Sequence, residues 1–355
     1  MKRSSVDGLF AFYGRDHLSL SKKMARFGLN RWHPQQHAHL VALFNTSLGS
    51  LNVGDEIIND AIRHELSTCL PWAQFLQLTT HDGISSVGIG RANQARWRFV
   101  CGSNLIGGKM YTSKQWNVGP LDVVRLRDVI AVGVGWQKYR TQISAYSRWF
   151  YRQLFSRDYL HSVRDEYTKQ RLAAAGIHNV INTGCPTTWR LTPEHVARIP
   201  QHKGEAVIFT LTDWRKDHAA DNHLIQTLRQ HYGKLYFWVQ AARDIEYTQQ
   251  LSAFSADIEL VAPRLEAFDA VLRDTPSLDY VGTRLHGGIR ALQFARRTLI
   301  IGVDNRAEEK RRDMNLPVIP RSEQASALAQ ALIADQPLAL RLPLDRIQAW
   351  KDQFR

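Results

Sequence analysis

Apolar residues follow two alternating rhythms along this chain. Unbroken runs of strand length give way to stripes spaced three and four residues apart, the spacing of one helix face. The first run is 39–45 (HLVALFN), followed by a glycine-bearing loop, TSLGSLNVGDE. From about Asp55 onward, Ile57, Ile58, Ala61, Ile62 and Leu66 form one helical stripe. Asp55 and Glu56 in its first turn suit the positive end of a helix. Runs at 98–101, 129–133 and 179–183 predict further strands, and the aromatic, basic stretch 139–161 predicts a helix between the last two. Residues 193–204 (PEHVARIPQHKG), with two prolines and a glycine, interrupt the pattern. Alternation then resumes with a strand at 206–211, a helix at 221–232 and a strand at 234–240.

The clearest segment is 278–310. It predicts a strand (278–281), a sharp turn carrying Arg284 and His286, a helix opening at Gly287-Gly288, and a second strand (298–303). That is a β-α-β unit, the building block of parallel sheets. A helix follows at 323–334, and 336–355 is suited to crossing back onto the first half. The expected organisation is therefore a basic leader (1–35), an α/β domain (36–192), a linker (193–204), a second α/β domain (205–335) and a returning tail (336–355). The fold class is α/β, with two Rossmann-like domains facing a cleft.

At 355 residues and 44% hydrophobic content the chain can fill two cores. No apolar stretch approaches the roughly 20 residues that span a bilayer, and the first residues lack a continuous apolar signal segment. Cys69, Cys101 and Cys185 are scattered and odd in number, which argues against a disulfide framework or a cysteine-based zinc site and for a reducing cytoplasm. The net charge of +13 and pI near 9.8 call for anionic partners. Nucleic acid is the least supported of them, since helix-turn-helix, zinc-finger and RNP-like patterns are all missing. Lys22, Lys23, Arg26 and Arg31 interleave with Met24, Phe27, Leu29 and Trp32. That pattern suits first a solvated basic arm packed on its own domain and, after it, peripheral contact with an anionic membrane face.

Ligands in parallel sheets bind beyond the carboxyl ends of the strands, where helix N-termini attract anions. Arg284 and His286 lie at such a junction, a cation beside a proton carrier. The plainer reading is that Arg284 pairs with a carboxylate and His286 is an ordinary turn histidine. The loop 210–215 (TLTDWR) after the first strand of the second half is another anion candidate, with Arg215 its best residue. No His, Asp, Glu and Cys set has convincing metal-ligand spacing, so neither a metal nor a cofactor is expected.

Taken together, three stretches resemble the polysaccharide pyruvyl transferase family. VGTRLHGGIRAL followed by LIIGVDNRAEEK is similar to the family's Arg-Leu-His turn, helix, second strand and downstream lysine. Asn52-Val53-Gly54-Asp55-Glu56 is similar to its N-x-G-D-E loop. Val163-Arg164-Asp165-Glu166 with Gly184-Cys185-Pro186 is similar to its Arg-Asp/Glu element and the G-[CD]-P turn after it. The similarity runs from about Leu40 to Ser322. The departures are Cys101-Gly102-Ser103-Asn104-Leu105, with a single glycine at its start, and the leader before Leu40, which has no counterpart. The resemblance implies a GT-B-like architecture and transfer of the enolpyruvyl unit of phosphoenolpyruvate onto a sugar, usually as a pyruvate ketal. It further implies that Arg284, Arg164 and the downstream Lys310 bind phosphoenolpyruvate; Arg215 joins them from its own loop, and Lys310 stands among Arg306, Arg311 and Arg312 in a general basic rim. His286 is the implied acid and Asp55 the base, while Asn52 and Glu56 meet the acceptor, a glycan that is free, lipid-linked or nucleotide-linked. Two rivals share the architecture: a GT-B glycosyltransferase using a nucleotide-sugar, with Glu308 or Glu309 on the ribose, and a non-catalytic glycan- or membrane-binding protein.

Overall fold

A computed structural model describes residues 36–355 apart from 114 and 138–141. The basic leader and its membrane-face reading lie outside the described residues. Among the described residues no helix is long and apolar enough to cross a membrane.

The chain is α/β and its sheets are parallel. The first sheet, in the order β2-β1-β3-β4, uses β1 (His37–Asn45), β2 (Gln74–Thr79), β3 (Ala95–Cys101) and β4 (Val129–Val132). A short pair, β5 (His161–Val163) and β6 (Val180–Asn182), continues from β4. The second sheet, in the order β12-β11-β10-β7-β8-β9, uses β7 (Ala206–Thr210), β8 (Lys234–Trp238), β9 (Glu259–Val261), β10 (Leu278–Gly282), β11 (Thr298–Gly302) and β12 (Val318–Pro320). Its central strands β7 and β10 are buried along their whole length, as a sheet covered on both faces requires.

Each sheet reverses its strand order once, and ligands in such sheets collect at these reversals. The first reversal lies between β1 and β3, at the loops 46–53 and 102–105. The second lies between β7 and β10, at 211–215 and 283–284. The helix after the first loop, α1 (Gly54–Cys69), buries Ile57, Ile58, Ala61, Ile62 and Leu66, the stripe read from its periodicity.

Several boundaries differ from the sequence reading. The helix in the stretch 139–161 covers only Ala145–Leu154, capped by Ser144, and His161 already belongs to β5. Edge strand β2 and the helix Leu265–Asp274 were not anticipated. Beyond β12 the chain returns to the first sheet. There its last helix, Leu344–Asp352, lays Trp350 against Phe99, and the Trp350 indole donates to Leu160 O at 2.9 Å.

His161 shows how burial sets protonation in this core. It is fully buried, with Nδ1 accepting from Ala131 N–H at 3.1 Å and Nε2 then donating to Ser156 O at 2.9 Å. Burial pushes its pKa down to about 4, outweighing the bond to Ser156. The unfolded chain takes up this proton first, so the stability His161 confers is complete above about pH 6.5 and drains as pH falls toward 4. Between pH 7 and 4 the protein should lose about 3 kcal/mol more than His161→Gln does in denaturant unfolding. Parallel losses in the two proteins would show that His161 is not the group titrating.

Candidate active site

The site is assembled from the loops at the two strand reversals. After β10, Tyr280 Oη donates to Arg284 O at 2.8 Å and so fixes the turn that starts the helix α2 (Leu285–Gln293). This start is two residues earlier than Gly287-Gly288 suggested, and His286 rides in the first helical turn. The glycines serve packing instead. A Cβ at Gly288 would lie 2.5 Å from Ile300 Cγ1 on β11, so only glycine lets helix and sheet approach this closely.

His286 is partly exposed, and its Nε2 lies 4.0 Å from Cys185 Sγ, in the turn that follows β6. Burial, together with the positive charges of Arg306, Arg164 and Lys310, pushes its pKa down to about 3, with Asp304 opposing. The imidazole is therefore neutral near pH 7. The three cations come from both halves of the chain.

Lys310 is not part of a basic rim, as the sequence had suggested. It lies on the helix α3 (Asn305–Met314) and is only 6% exposed, with Nζ donating to Arg164 O at 2.9 Å; burial lowers its pKa. Arg311 and Arg312, by contrast, are exposed and paired with Glu308 and Asp313. The side chain of Arg164 reaches the Asn104 carboxamide and Asp165 Oδ2, the latter at 3.2 Å. A Cβ at Gly135 would lie 2.2 Å from Arg164 Nε, so glycine there leaves room for the guanidinium. Arg164 thus pairs with Asp165, yet it also lines the cleft.

That cleft has a volume of about 780 Å³ and runs between the two halves, with Arg164, Trp136, Trp214, Arg215 and Arg306 in its walls. Arg215 is exposed, with its guanidinium 5.4 Å from the Trp214 ring. A narrower recess shares Trp214 and Arg306 with the cleft and adds Asn52, Gln240, Arg284 and His286. Arg284 lines the recess, but its guanidinium is engaged from below. Nε donates to Leu211 O at 2.8 Å, and Nη2 binds Asp213 at 3.0 Å and also Asp244. The plainer reading of Arg284, a partner for carboxylates, is therefore also present.

On the first half, Asp55 receives a hydrogen bond from Ser50 Oγ at 2.6 Å. Burial raises its pKa against the opposing effects of Ser50, His81 and Arg306. Glu56 is exposed; partial burial and the negative charges of Glu266 and Asp55 raise its pKa. Asn52 Oδ1 accepts from Gly54 N–H at 3.0 Å and from Gln240 Nε2 at 2.9 Å, which joins this loop to the end of β8.

The structure thus gathers His286, Arg164 and Lys310 around one point. It adds Arg306, whose charge acts on both His286 and Asp55 and which therefore belongs to the site and not to a general basic rim. Arg306 is held by Asp304, the N-cap of α3, with Nε and Nη2 at 2.9 and 2.6 Å from Oδ2. Its position just past the carboxyl end of β11 was a usable signal, by the same rule that singled out Arg284. Gln240 and Trp214 carried no such signal. Among the described residues no group of three or more His, Cys, Asp or Glu side chains converges as a metal site would.

The family model of the polysaccharide pyruvyl transferases matches residues 52–305. The chain belongs to that family. The matched span opens on Asn52 and contains Arg164, Cys185, Arg284 and His286, whereas Arg306, Lys310 and the returning C-terminal helix lie beyond it. No curated protein matches the chain. Among solved structures it is similar to the S. aureus MnaA–UDP co-structure, with a TM-score of 0.44 and 10% identity over 88% of this chain and 95% of that one.

Proposed function

We propose that this pyruvyl transferase moves the enolpyruvyl unit of phosphoenolpyruvate onto a glycan sugar, closing a pyruvate ketal across two hydroxyls and releasing phosphate. The observation that carries this reading is the neutral His286 at a helix N-terminus, facing three cations drawn from both halves of the chain. Such a pocket suits a small ligand that brings a carboxylate and a phosphate together.

His286 protonates the methylene carbon, which becomes the methyl group, and the central carbon turns electrophilic. The first sugar hydroxyl adds there and gives its proton to Asp55, whose raised pKa suits a base. The C–O bond to phosphate then breaks, the second hydroxyl closes the ketal, and its proton leaves with phosphate. In the free protein His286 lacks the proton this sequence needs. Bound phosphoenolpyruvate supplies the remedy, because its negative charge offsets Arg164, Arg306 and Lys310 and raises the histidine's pKa. Substrate charge thus favours the protonated acid against the burial that disfavours it.

In this reading the second sheet holds the donor, with Arg284, Arg215 and Arg306 around it, and the first sheet presents the acceptor at Asn52, Asp55 and Glu56. The acceptor is a lipid-linked, nucleotide-linked or free glycan in the cytoplasm, and the basic leader would keep the enzyme at an anionic membrane surface.

The deciding experiment follows phosphate release and product mass with phosphoenolpyruvate and a panel of glycan acceptors. Nucleotide release from a nucleotide-sugar in its place would replace this reading with glycosyl transfer. Arg306→Gln should raise KM for phosphoenolpyruvate about ten- to a hundredfold, the scale of one charge-assisted contact. An unchanged KM would remove Arg306 from the donor site.

A further inference from the structure

We infer that Gln240 and Asn52, meeting across the two halves, bind one hydroxyl of the acceptor sugar; this rests on the glycan-acceptor reading above. The backbones are joined here by Val53 N–H donating to Gln240 O at 2.9 Å and by the bridge between Asn52 and Ala241. The orientation of both side-chain amides follows from one fixed donor. Gly54 N–H points at an Asn52 side-chain atom 3.0 Å away, so that atom is the acceptor Oδ1. The Gln240 atom 2.9 Å from the same oxygen must then be a donor, Nε2. Gln240 Oε1 is left over. It is buried and has no hydrogen-bond partner, on a residue 3% exposed that lines the recess with His286.

A buried carbonyl oxygen without a donor is unfavourable unless a ligand hydroxyl or a water that such a hydroxyl replaces supplies one. The space beside it is kept open by a glycine, since a Cβ at Gly287 would lie 3.2 Å from Oε1 and 2.8 Å from Tyr280 Oη. Asn52 Nδ2 makes no bond within the described residues and adds a donor. One acceptor beside one donor matches a neutral hydroxyl, which both gives and takes a hydrogen bond. It does not match the anionic donor substrate, which a lone carbonyl oxygen repels. Asp55 follows three residues after Asn52 in the first turn of α1, its N–H donating to Asn52 O at 3.0 Å, so this pair sits on the loop that leads into the residue proposed to take the hydroxyl proton.

The test uses the full chain, phosphoenolpyruvate, and methyl galactopyranoside and methyl glucopyranoside with their monodeoxy analogues, read by saturation-transfer NMR. In the parent protein, removal of one particular hydroxyl should weaken binding about tenfold, and in Gln240→Met the same removal should change it less than twofold. A measurement on the parent protein alone guards against a variant that fails to fold. The Gln240 side-chain amide 15N–1H signals should move when the full sugar is added and stay in place with the critical deoxy sugar. Equal losses in parent and variant, a stationary Gln240 amide, or no sugar binding at all would each overturn the inference. Gln240-dependent sugar binding without consumption of phosphoenolpyruvate would uphold the subsite and reject pyruvyl transfer.

Discussion

His286→Ala should lower turnover about a hundredfold or more, the usual scale for loss of a general acid. Folding should barely register the change, because the imidazole is partly exposed and its side-chain hydrogen bonding among the described residues is the weak 4.0 Å approach to Cys185. Acid behaviour provides a second reading of the same variant. With a folded pKa of about 3, His286 resists protonation in the native state while the unfolded chain accepts the proton near pH 6.5. The unfolded state thus binds more protons between these values, so His286 leaves stability untouched above pH 6.5 and draws it down as pH falls toward 3. The alanine variant should therefore unfold less steeply on acidification. In the parent enzyme, kcat should decline as pH rises through the substrate-bound pKa of His286, which lies above its free value. Turnover near the parent rate at the variant's own pH optimum would assign the proton to another group.

Arg284→Leu is expected to destabilise the protein by about 3–5 kcal/mol, the scale for removing one partner of a buried ion pair. Arg284 is 5% exposed and Asp244 fully buried. Burial already pushes the Asp244 pKa up, and Arg284 is the main force opposing that rise, so without it Asp244 must go unpaired or take up a proton. Asp213 and the Leu211 carbonyl lose the same partner. Removing Asp244 as well, in Arg284→Leu/Asp244→Leu, should recover part of the loss. Arg284→Lys separates the folding role from the proposed donor role. A single lysine ammonium cannot take up both the Nε and the Nη2 positions from which Arg284 serves its acceptors, so stability falls moderately, while phosphoenolpyruvate affinity should drop by about 1.5–3 kcal/mol if the residue also grips substrate. Calorimetry showing lower stability with unchanged affinity would leave Arg284 as a positioning residue that ties the 211–215 loop to the end of β8.

Local chemistry was readable wherever a segment answers mainly to itself. The apolar runs of β7, β10 and β11 and the stripe on α1 follow from periodicity alone, because a strand buried on both faces and a helix buried on one carry different spacings. Those spacings led to parallel α/β sheets, and the order of three short motifs led to the family. Edge strand β2 escaped because its residues are only half-buried and its run is weak. The start of α2 was misplaced because Gly287 and Gly288 resemble a turn when read singly, whereas their role is clearance from Tyr280 and Ile300, residues of other elements. Lys310 shows the same limit. Among arginines and glutamates it reads as surface charge, and only the packing of α3 against the β5 end of the first half buries its ammonium on the Arg164 carbonyl. Arg306 beside His286, the two carboxylates under Arg284, and the oxygen of Gln240 left free by Asn52 are all long-range pairings. Hydrophobic spacing encodes which face of an element is buried but not which element covers it, so these contacts came into view only with the folded chain.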